Sequence, residues 1–226
     1  RTQCLVAEPG RPPNAAVVRA LREAIGGDDG TVVHWWDHER TVLKDVARQL
    51  AAGGEPDRDS LVAFIDTLTG GAGRLQDLGR LVSRTAFFVG TQGSSSIKKV
   101  LPAVLRQSMW LRERYGRPIY GTPAMPSLNF RGFTWYRERN GQAVDPYELL
   151  DPLFEDAELQ QAIAQEEAQN DYIADGPGAI IAYAELQRRD LPTDERERLK
   201  RQLLKYCELD TLAMVMVYQA LREWVA

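Results

Sequence analysis

Residues 31–39 read Thr-Val-Val-His-Trp-Trp-Asp-His-Glu, and this stretch decides the predicted fold. It begins with β-branched and aromatic residues, which favour a buried strand. Charged residues follow directly, and apolar residues then recur at helical spacing from Val42 to Leu50. The stretch therefore predicts a central buried strand over residues 31–35 and a helix over residues 37–51.

The alternation of strand and helix extends to both sides of this stretch. Upstream, Asn14 is the predicted N-cap of a helix over residues 15–25, and residues 3–7 are suited to a short strand. Downstream, we expect a short strand within residues 79–89 and helices over residues 61–68, 97–105, 179–188, and from about 193 nearly to Trp224 with a break near Tyr206. This alternation is typical of an α/β fold.

Residues 108–172 differ in character from the rest of the chain. They contain several prolines and glycines and many aromatic residues, among them Tyr120, Phe130 and Trp135. We interpret them as a loop-rich insertion that packs as an appendage, with its aromatic side chains forming a small cluster of their own. The expected organisation is then residues 1–107 as the N-terminal part of a domain, residues 108–172 as the insertion, and residues 173–226 as C-terminal helices that complete the domain.

The composition is that of a globular protein of 226 residues, 44% hydrophobic and 27% charged. The two cysteines, Cys4 and Cys207, have neither zinc-site nor disulfide-framework spacing, which favours a reducing, cytoplasmic setting. The sequence shows no signal peptide and no long apolar run, so no membrane insertion is expected. A net charge of −4 is unusual for a general nucleic-acid binder, but it is compatible with a nuclease whose acidic residues bind metal ions.

Three segments are distinctive. They read Ser-Ile-Lys-Lys-Val-Leu-Pro at residues 96–102, Asp-Pro-Tyr-Glu-Leu-Leu at residues 145–150, and Tyr-Cys-Glu-Leu-Asp-Thr-Leu-Ala-Met-Val at residues 206–215. They resemble, in the same order, segments of a bacterial domain family of unknown function, which is itself similar to the ribonuclease-H-like DEDD 3′–5′ exonucleases. The resemblance implies a ribonuclease-H-like mixed sheet flanked by helices, and hydrolysis of phosphodiester bonds in DNA or RNA with Mg²⁺ or Mn²⁺.

The same resemblance implies three catalytic residues. The second acidic motif of those exonucleases falls on residues 34–39 and makes Glu39 a metal ligand. Their third motif, Tyr-x-x-x-Asp, falls on Tyr206 and Asp210, with Asp210 as a metal ligand and Tyr206 orienting the attacking water. Two metal ions serve such a reaction by activating the water and stabilising charge on the attacking and leaving oxygens.

The first acidic motif of that family, Asp-x-Glu on the first strand, is not visible in this sequence. Glu39 and Asp210 alone make half of a two-metal site and are expected to bind Mg²⁺ poorly. We therefore expect the isolated chain to be inactive as a nuclease. We also expect the first strands and the missing acids to come from an upstream segment of the same polypeptide or from a partner chain, which would cover the open sheet edge.

Each of these residues also has an ordinary interpretation. Lys98 and Lys99 are candidates for contact with nucleic-acid phosphates, or they lie on a solvated helix face. Trp35 either stacks on a base or packs in the core, and His34 and His38 have the spacing of a zinc pair without apparent further ligands. The alternative to a nuclease is a catalytically inactive ribonuclease-H-like domain that binds nucleic acid or a protein.

Overall fold

The computed structural model describes residues 12–156, 159–162, 177–188 and 190–225. This part of the chain is a mixed α/β structure, mostly helical with a few short strands, which confirms the predicted class at that level. The chain folds into two compact units, and the boundary between them lies between Arg84 and Thr85. The predicted strand over residues 3–7 lies outside the described residues.

Unit 1 alternates helices with two short strands. In chain order these elements are α1 (Asn14–Ile25), β1 (Val32–His34), α2 (His38–Ala52), α3 (Arg58–Thr69), β2 (Leu75–Asp77) and α4 (Leu78–Thr85). The strands β1 and β2 pair in parallel, with Val32 opposite Leu75 and His34 opposite Asp77. The carboxyl ends of both strands therefore lie at the same edge of this small sheet, where the chain turns into α2 and α4.

The core of unit 1 forms where α1 and α2 pack against α3. Leu61 and Leu68 on α3 are completely buried, and Val18 on α1 and Leu50 on α2 pack into the same cluster. Each fully buried side chain of this size contributes about 1.5–3 kcal/mol relative to an exposed one. The helical periodicity in the sequence identified these faces correctly.

The strands of unit 1 differ from the prediction in two ways. Among the described residues β1 pairs with β2 alone, so the expected central strand is not found there, and Val33 is 36% exposed. The strand expected within residues 79–89 is wrong, because α4 covers residues 78–85 and the second strand lies earlier. β2 reads Leu-Gln-Asp, which lacks the β-branched and aromatic residues that mark a strand, and its pairing with β1 defines it instead.

Unit 2 is built around one long helix. Its elements are α5 (Ile97–Gln107), α6 (Met109–Tyr115), a two-stranded hairpin of β3 (Glu138–Arg139) and β4 (Gln142–Ala143), a 3₁₀ turn (Pro146–Leu149), α7 (Pro177–Leu186) and α8 (Thr193–Val225). The helices α5, α6 and α7 all pack on α8. The predicted break of α8 near Tyr206 is wrong, since α8 runs unbroken for 33 residues and contains neither proline nor glycine.

The aromatic residues of the predicted insertion form the expected cluster. The rings of Tyr120, Phe130, Phe133 and Trp135 lie 4.6–5.7 Å apart between centroids, and Trp135 is completely buried. The segment is not an appendage, however, because it is bonded directly to α8. Five of its side chains donate hydrogen bonds to residues of that helix: Ser108, Tyr115, Tyr120, Asn129 and Tyr147. The predicted domain boundaries at residues 107 and 172 stay predictions.

Among the helices of the described residues, none combines the length and the apolar character needed to cross a membrane.

Candidate functional site

The three distinctive sequence segments meet in unit 2. Lys98 on α5 places its Nζ 5.3 Å from the ring centroid of Tyr206 on α8 and 5.8 Å from that of Tyr147 in the 3₁₀ turn. The two tyrosine rings lie 5.9 Å apart. The hydroxyl of Tyr147 donates a hydrogen bond of 2.6 Å to Oδ1 of Asp210 on α8. We call these four residues the Lys98 cluster.

The local sequence explains how Tyr147 comes to face α8. Asp145 is the N-cap of the 3₁₀ turn, and its Oδ1 accepts the backbone N–H of Tyr147 at 3.0 Å. Pro146 follows the cap, where its fixed φ suits the first position of a turn, and it is buried. The cap and the proline together set the direction in which the Tyr147 side chain leaves the backbone.

Tyr206 and Asp210 lie one helical turn apart on α8, as predicted from their spacing. Both side chains are partly buried, and both contact Tyr147, one through its ring and one through its hydroxyl. The structure therefore brings Tyr206, Asp210 and Lys98 together as the sequence suggested. Tyr147 completes the group, and sequence reasoning had given it no role.

The electrostatics of the cluster keep Tyr147 protonated. Burial raises the pKa of Tyr147 well above its ordinary value, and the charge of Asp210 and its hydrogen bond with the Tyr147 hydroxyl raise that pKa further. The hydroxyl is therefore a hydrogen-bond donor throughout the neutral range. Asp210 accordingly accepts a hydrogen bond from a neutral group within the cluster.

A second polar group lies one turn from the cluster on α8. Glu208 is only 5% exposed, and its two carboxylate oxygens accept hydrogen bonds of 2.6 Å from the Tyr120 hydroxyl and the Asn129 side-chain amide. Burial and the Glu208 carboxylate both raise the pKa of Tyr120. Sequence reasoning missed Glu208, although the residue four positions later, Leu212, lies on the apolar face of the helix. A charged residue in line with that face was the available signal.

Glu39 lies in unit 1, in the first turn of α2, with its side chain 47% exposed. The buried imidazole of His34 reaches it, with 3.6 Å between His34 Nδ1 and Glu39 Oε2, and the same nitrogen donates to the backbone carbonyl of Trp36. Burial lowers the pKa of His34, but the hydrogen bonds with Glu39 and the Trp36 carbonyl outweigh it, so the net shift is upward. His34 therefore supports the loop that carries Glu39.

The backbone between β1 and α2 is strained at Trp36, whose φ is +64°. A bulky residue in this left-handed region costs about 1–3 kcal/mol and persists only where the surroundings hold it. Asp77 at the end of β2 does so, because its Oδ1 accepts the backbone N–H of Trp36 at 3.1 Å and that of Arg80 at 2.8 Å. Asp77 is the second residue at this edge that sequence reasoning missed.

Two other predicted site residues have distinct environments. Trp35 is 5% exposed and packs so closely on Gly79 that an added Cβ there would lie 3.3 Å from the indole, which fits core packing and leaves no open face for a base. Lys99 is exposed on the first turn of α5, and its positive charge acts on the carboxyl group of Asp145. The neighbouring Lys98 is partly buried between the tyrosine rings.

The predicted metal ligands are divided between the units, with Glu39 in unit 1 and Asp210 in unit 2. One carboxylate does not hold a divalent ion, because Mg²⁺ and Mn²⁺ need several oxygen ligands. In the part of the chain that the structure describes, no group of three or more His, Cys, Asp or Glu side chains is arranged to hold a metal ion. The described residues of either unit therefore do not fit a complete two-metal site or the suggested zinc site.

Comparison of the chain with models of protein families, with curated proteins and with solved structures finds no match in any of the three.

Proposed function

We propose that the chain is a metal-dependent nuclease-like domain of the ribonuclease-H-like type, which hydrolyses phosphodiester bonds with Mg²⁺ or Mn²⁺. One observation carries the proposal: Tyr206 and Asp210 share one face of α8 and meet Lys98 and Tyr147 there. These residues come from the three segments on which the family resemblance rests. A cytoplasmic location and a nucleic-acid substrate belong to the same proposal.

The residues have separate roles in the proposed reaction. Bound divalent ions would supply charge neutralisation and an activated water. Asp210 and Glu39 are the proposed carboxylate ligands, and Lys98 binds the backbone phosphate. Tyr206 and Tyr147 place Lys98, and Tyr147 also orients Asp210 through its hydroxyl.

A specific observation favours the alternative, a catalytically inactive domain that binds nucleic acid or a protein. The Tyr147 hydroxyl donates to Oδ1 of Asp210, so the carboxylate that a nuclease would offer to metal is already hydrogen-bonded inside the fold. In this alternative Asp210 holds the 3₁₀ turn against α8. The Lys98 cluster is then a binding surface without chemistry.

The test uses the full-length protein encoded by the gene, with end-labelled single-stranded and duplex DNA and RNA, in Mg²⁺, Mn²⁺ or EDTA. The variants are Asp210→Asn and Glu39→Gln, which remove one charge each. Asp59→Asn is the matched control, because the Asp59 side chain is 92% exposed and far from any predicted role. A nuclease cuts in the presence of the cations, keeps its activity in the control and loses at least about 100-fold in the other two variants.

Each alternative result has a defined meaning. Binding without cutting in every condition supports the inactive domain. Cutting that Asp210→Asn leaves intact refutes Asp210 as a ligand. A full-length protein that neither cuts nor binds any of the four substrates refutes both the nuclease and the nucleic-acid-binding interpretation.

A further inference from the structure

Two adjacent lysines on the first turn of α5 differ in their surroundings. The ammonium of Lys98 lies over two tyrosine rings, at 5.3 Å and 5.8 Å from their centroids, and the side chain is partly buried. Lys99 is exposed, and its charge is directed toward Asp145. The two residues have the same charge and neighbouring positions, so any difference in function must come from these environments.

The rings of Tyr147 and Tyr206 restrict Lys98 before any ligand arrives. A free lysine side chain loses about 1.5–2 kcal/mol of rotamer entropy when it is fixed in one place. Each ring face attracts the ammonium by about 0.5–1 kcal/mol at a site open to solvent, which offsets part of that cost within the fold. A phosphate that meets Lys98 therefore meets a charge that is already in position.

The support of the rings is itself anchored. The Tyr147 ring is held by the bond from its hydroxyl to Asp210 and by the Asp145 cap on its backbone N–H. The Tyr206 ring projects from the long helix α8. A cation–π contact positions an ammonium without cancelling its charge, in contrast to an ion pair with a carboxylate.

We infer that Lys98 contacts a backbone phosphate of the bound nucleic acid, that Tyr147 and Tyr206 are its positioning residues, and that Lys99 makes no such contact. This inference rests on the proposed function, because it needs a nucleic acid as the ligand. It goes further in assigning the phosphate contact to one of two neighbouring lysines and in giving Tyr147 a part in binding.

The expected effect is a change in salt dependence. One lost phosphate contact lowers the slope of log K against log salt by about 0.9 for duplex DNA or about 0.7 for a single strand. At about 0.1 M salt such a change corresponds to roughly five- to eightfold weaker binding. The slope reports counterion release, so a variant that merely loosens the fold does not reproduce it.

The experiment measures fluorescence anisotropy of a labelled oligonucleotide, single-stranded or duplex, with the full-length protein across a range of NaCl concentrations. It is run in EDTA and again in Ca²⁺, and thermal denaturation of each variant confirms folding. Lys98→Gln is compared with Lys99→Gln, which removes the same charge one residue away, and with Lys98→Arg, which keeps the charge. Tyr206→Leu is compared with Tyr218→Leu, because Tyr218 also forms a ring–cation pair on α8, with Arg222 at 6.0 Å.

We expect Lys98→Gln to lower the slope by the amount above, Lys98→Arg to keep the wild-type slope, and Lys99→Gln to change it by less than about 0.2. Tyr206→Leu should weaken binding, and Tyr218→Leu should not. Equal losses in Lys98→Gln and Lys99→Gln, or none in Lys98→Gln, overturn the inference and leave nucleic-acid binding itself standing. Failure of the wild-type protein to bind in either condition overturns the proposed function, and the inference with it.

Discussion

The hydrogen bond between Tyr147 and Asp210 provides the sharpest test of the site. Tyr147→Phe removes one oxygen and leaves the ring that faces Tyr206 and Lys98. The chain offers a matched control in Tyr115, whose buried hydroxyl also donates to α8, at 2.9 Å to the side-chain carbonyl of Gln219. Both changes delete a tyrosine hydroxyl that bonds to the same helix, and only one of them touches a charged acceptor.

The charge of the acceptor determines the expected magnitudes. A hydrogen bond to a charged group contributes about 1.5–3 kcal/mol, and one between neutral groups about 0.5–1.5 kcal/mol. Tyr147→Phe should therefore cost roughly twice as much as Tyr115→Phe. When Asp210→Ala is already present, the cost of Tyr147→Phe should fall by a coupling energy of about 1.5–3 kcal/mol.

The control pair should show no such coupling. Gln219 lies nine positions beyond Asp210 on α8, about 13 Å along the axis at about 1.5 Å per residue. Changes that far apart add within about 0.3–0.5 kcal/mol. Tyr115→Phe and Asp210→Ala should therefore be additive.

Native-state hydrogen exchange of the α8 amides measures the opening free energy of unit 2 in each single and double variant. Additive effects of Tyr147→Phe and Asp210→Ala would show that the bond contributes nothing to stability. A cost of Tyr147→Phe no larger than that of Tyr115→Phe would show that the carboxylate is not the effective acceptor. Either result would refute the account of the Lys98 cluster given above.

Three further predictions concern unit 2. Because the pKa of Tyr120 is raised in the fold by burial and by Glu208, its stabilising effect is complete below the unfolded value of about 10 and is lost as pH rises through the folded value; Tyr120→Phe should make urea-unfolding stability fall less steeply above that pH. Glu208→Gln faces a second amide donor from Asn129 and should cost about 1–3 kcal/mol by the same measurement. Gly141→Ala, at φ +75° in the β3–β4 turn, should cost about 1–2 kcal/mol, whereas Gly54→Ala, with open space around it, should cost less.

The helices were predictable where their apolar residues recur at helical spacing. The buried faces of α2 and α3 follow the pattern seen at Val46, Leu50 and Leu61. The strands were less predictable, because β1 and β2 are three residues each and are defined by pairing with one another. A strand this short contains no full period of alternation, so residues such as Leu75 and Asp77 carry no local signal.

The candidate site was predictable as a set of segments but not as a set of contacts. The resemblance identified Tyr206, Asp210 and Lys98, which the structure brings into one cluster. It assigned nothing to Tyr147, because a tyrosine in a turn acquires its partner only when the chain folds back on α8. Glu208 was missed for the same reason, since its donors come from residues 79 and 88 positions away in sequence.

Asp210 and Glu208 show two ways in which a carboxylate can be kept inside a fold. Glu208 is almost fully buried and receives one neutral donor on each oxygen, as a structural carboxylate requires. Asp210 is only partly buried and lies in the same cluster as an ammonium held over two tyrosine rings. A carboxylate with a purely structural role gains nothing from such a neighbour beyond the bond with Tyr147, whereas a site for a phosphodiester needs a positive charge close to its acid. The arrangement of Lys98 around Asp210 is therefore the feature that separates a functional site from a packing contact, and the salt slope of Lys98→Gln together with the coupling energy of Tyr147 and Asp210 measures each half of that distinction.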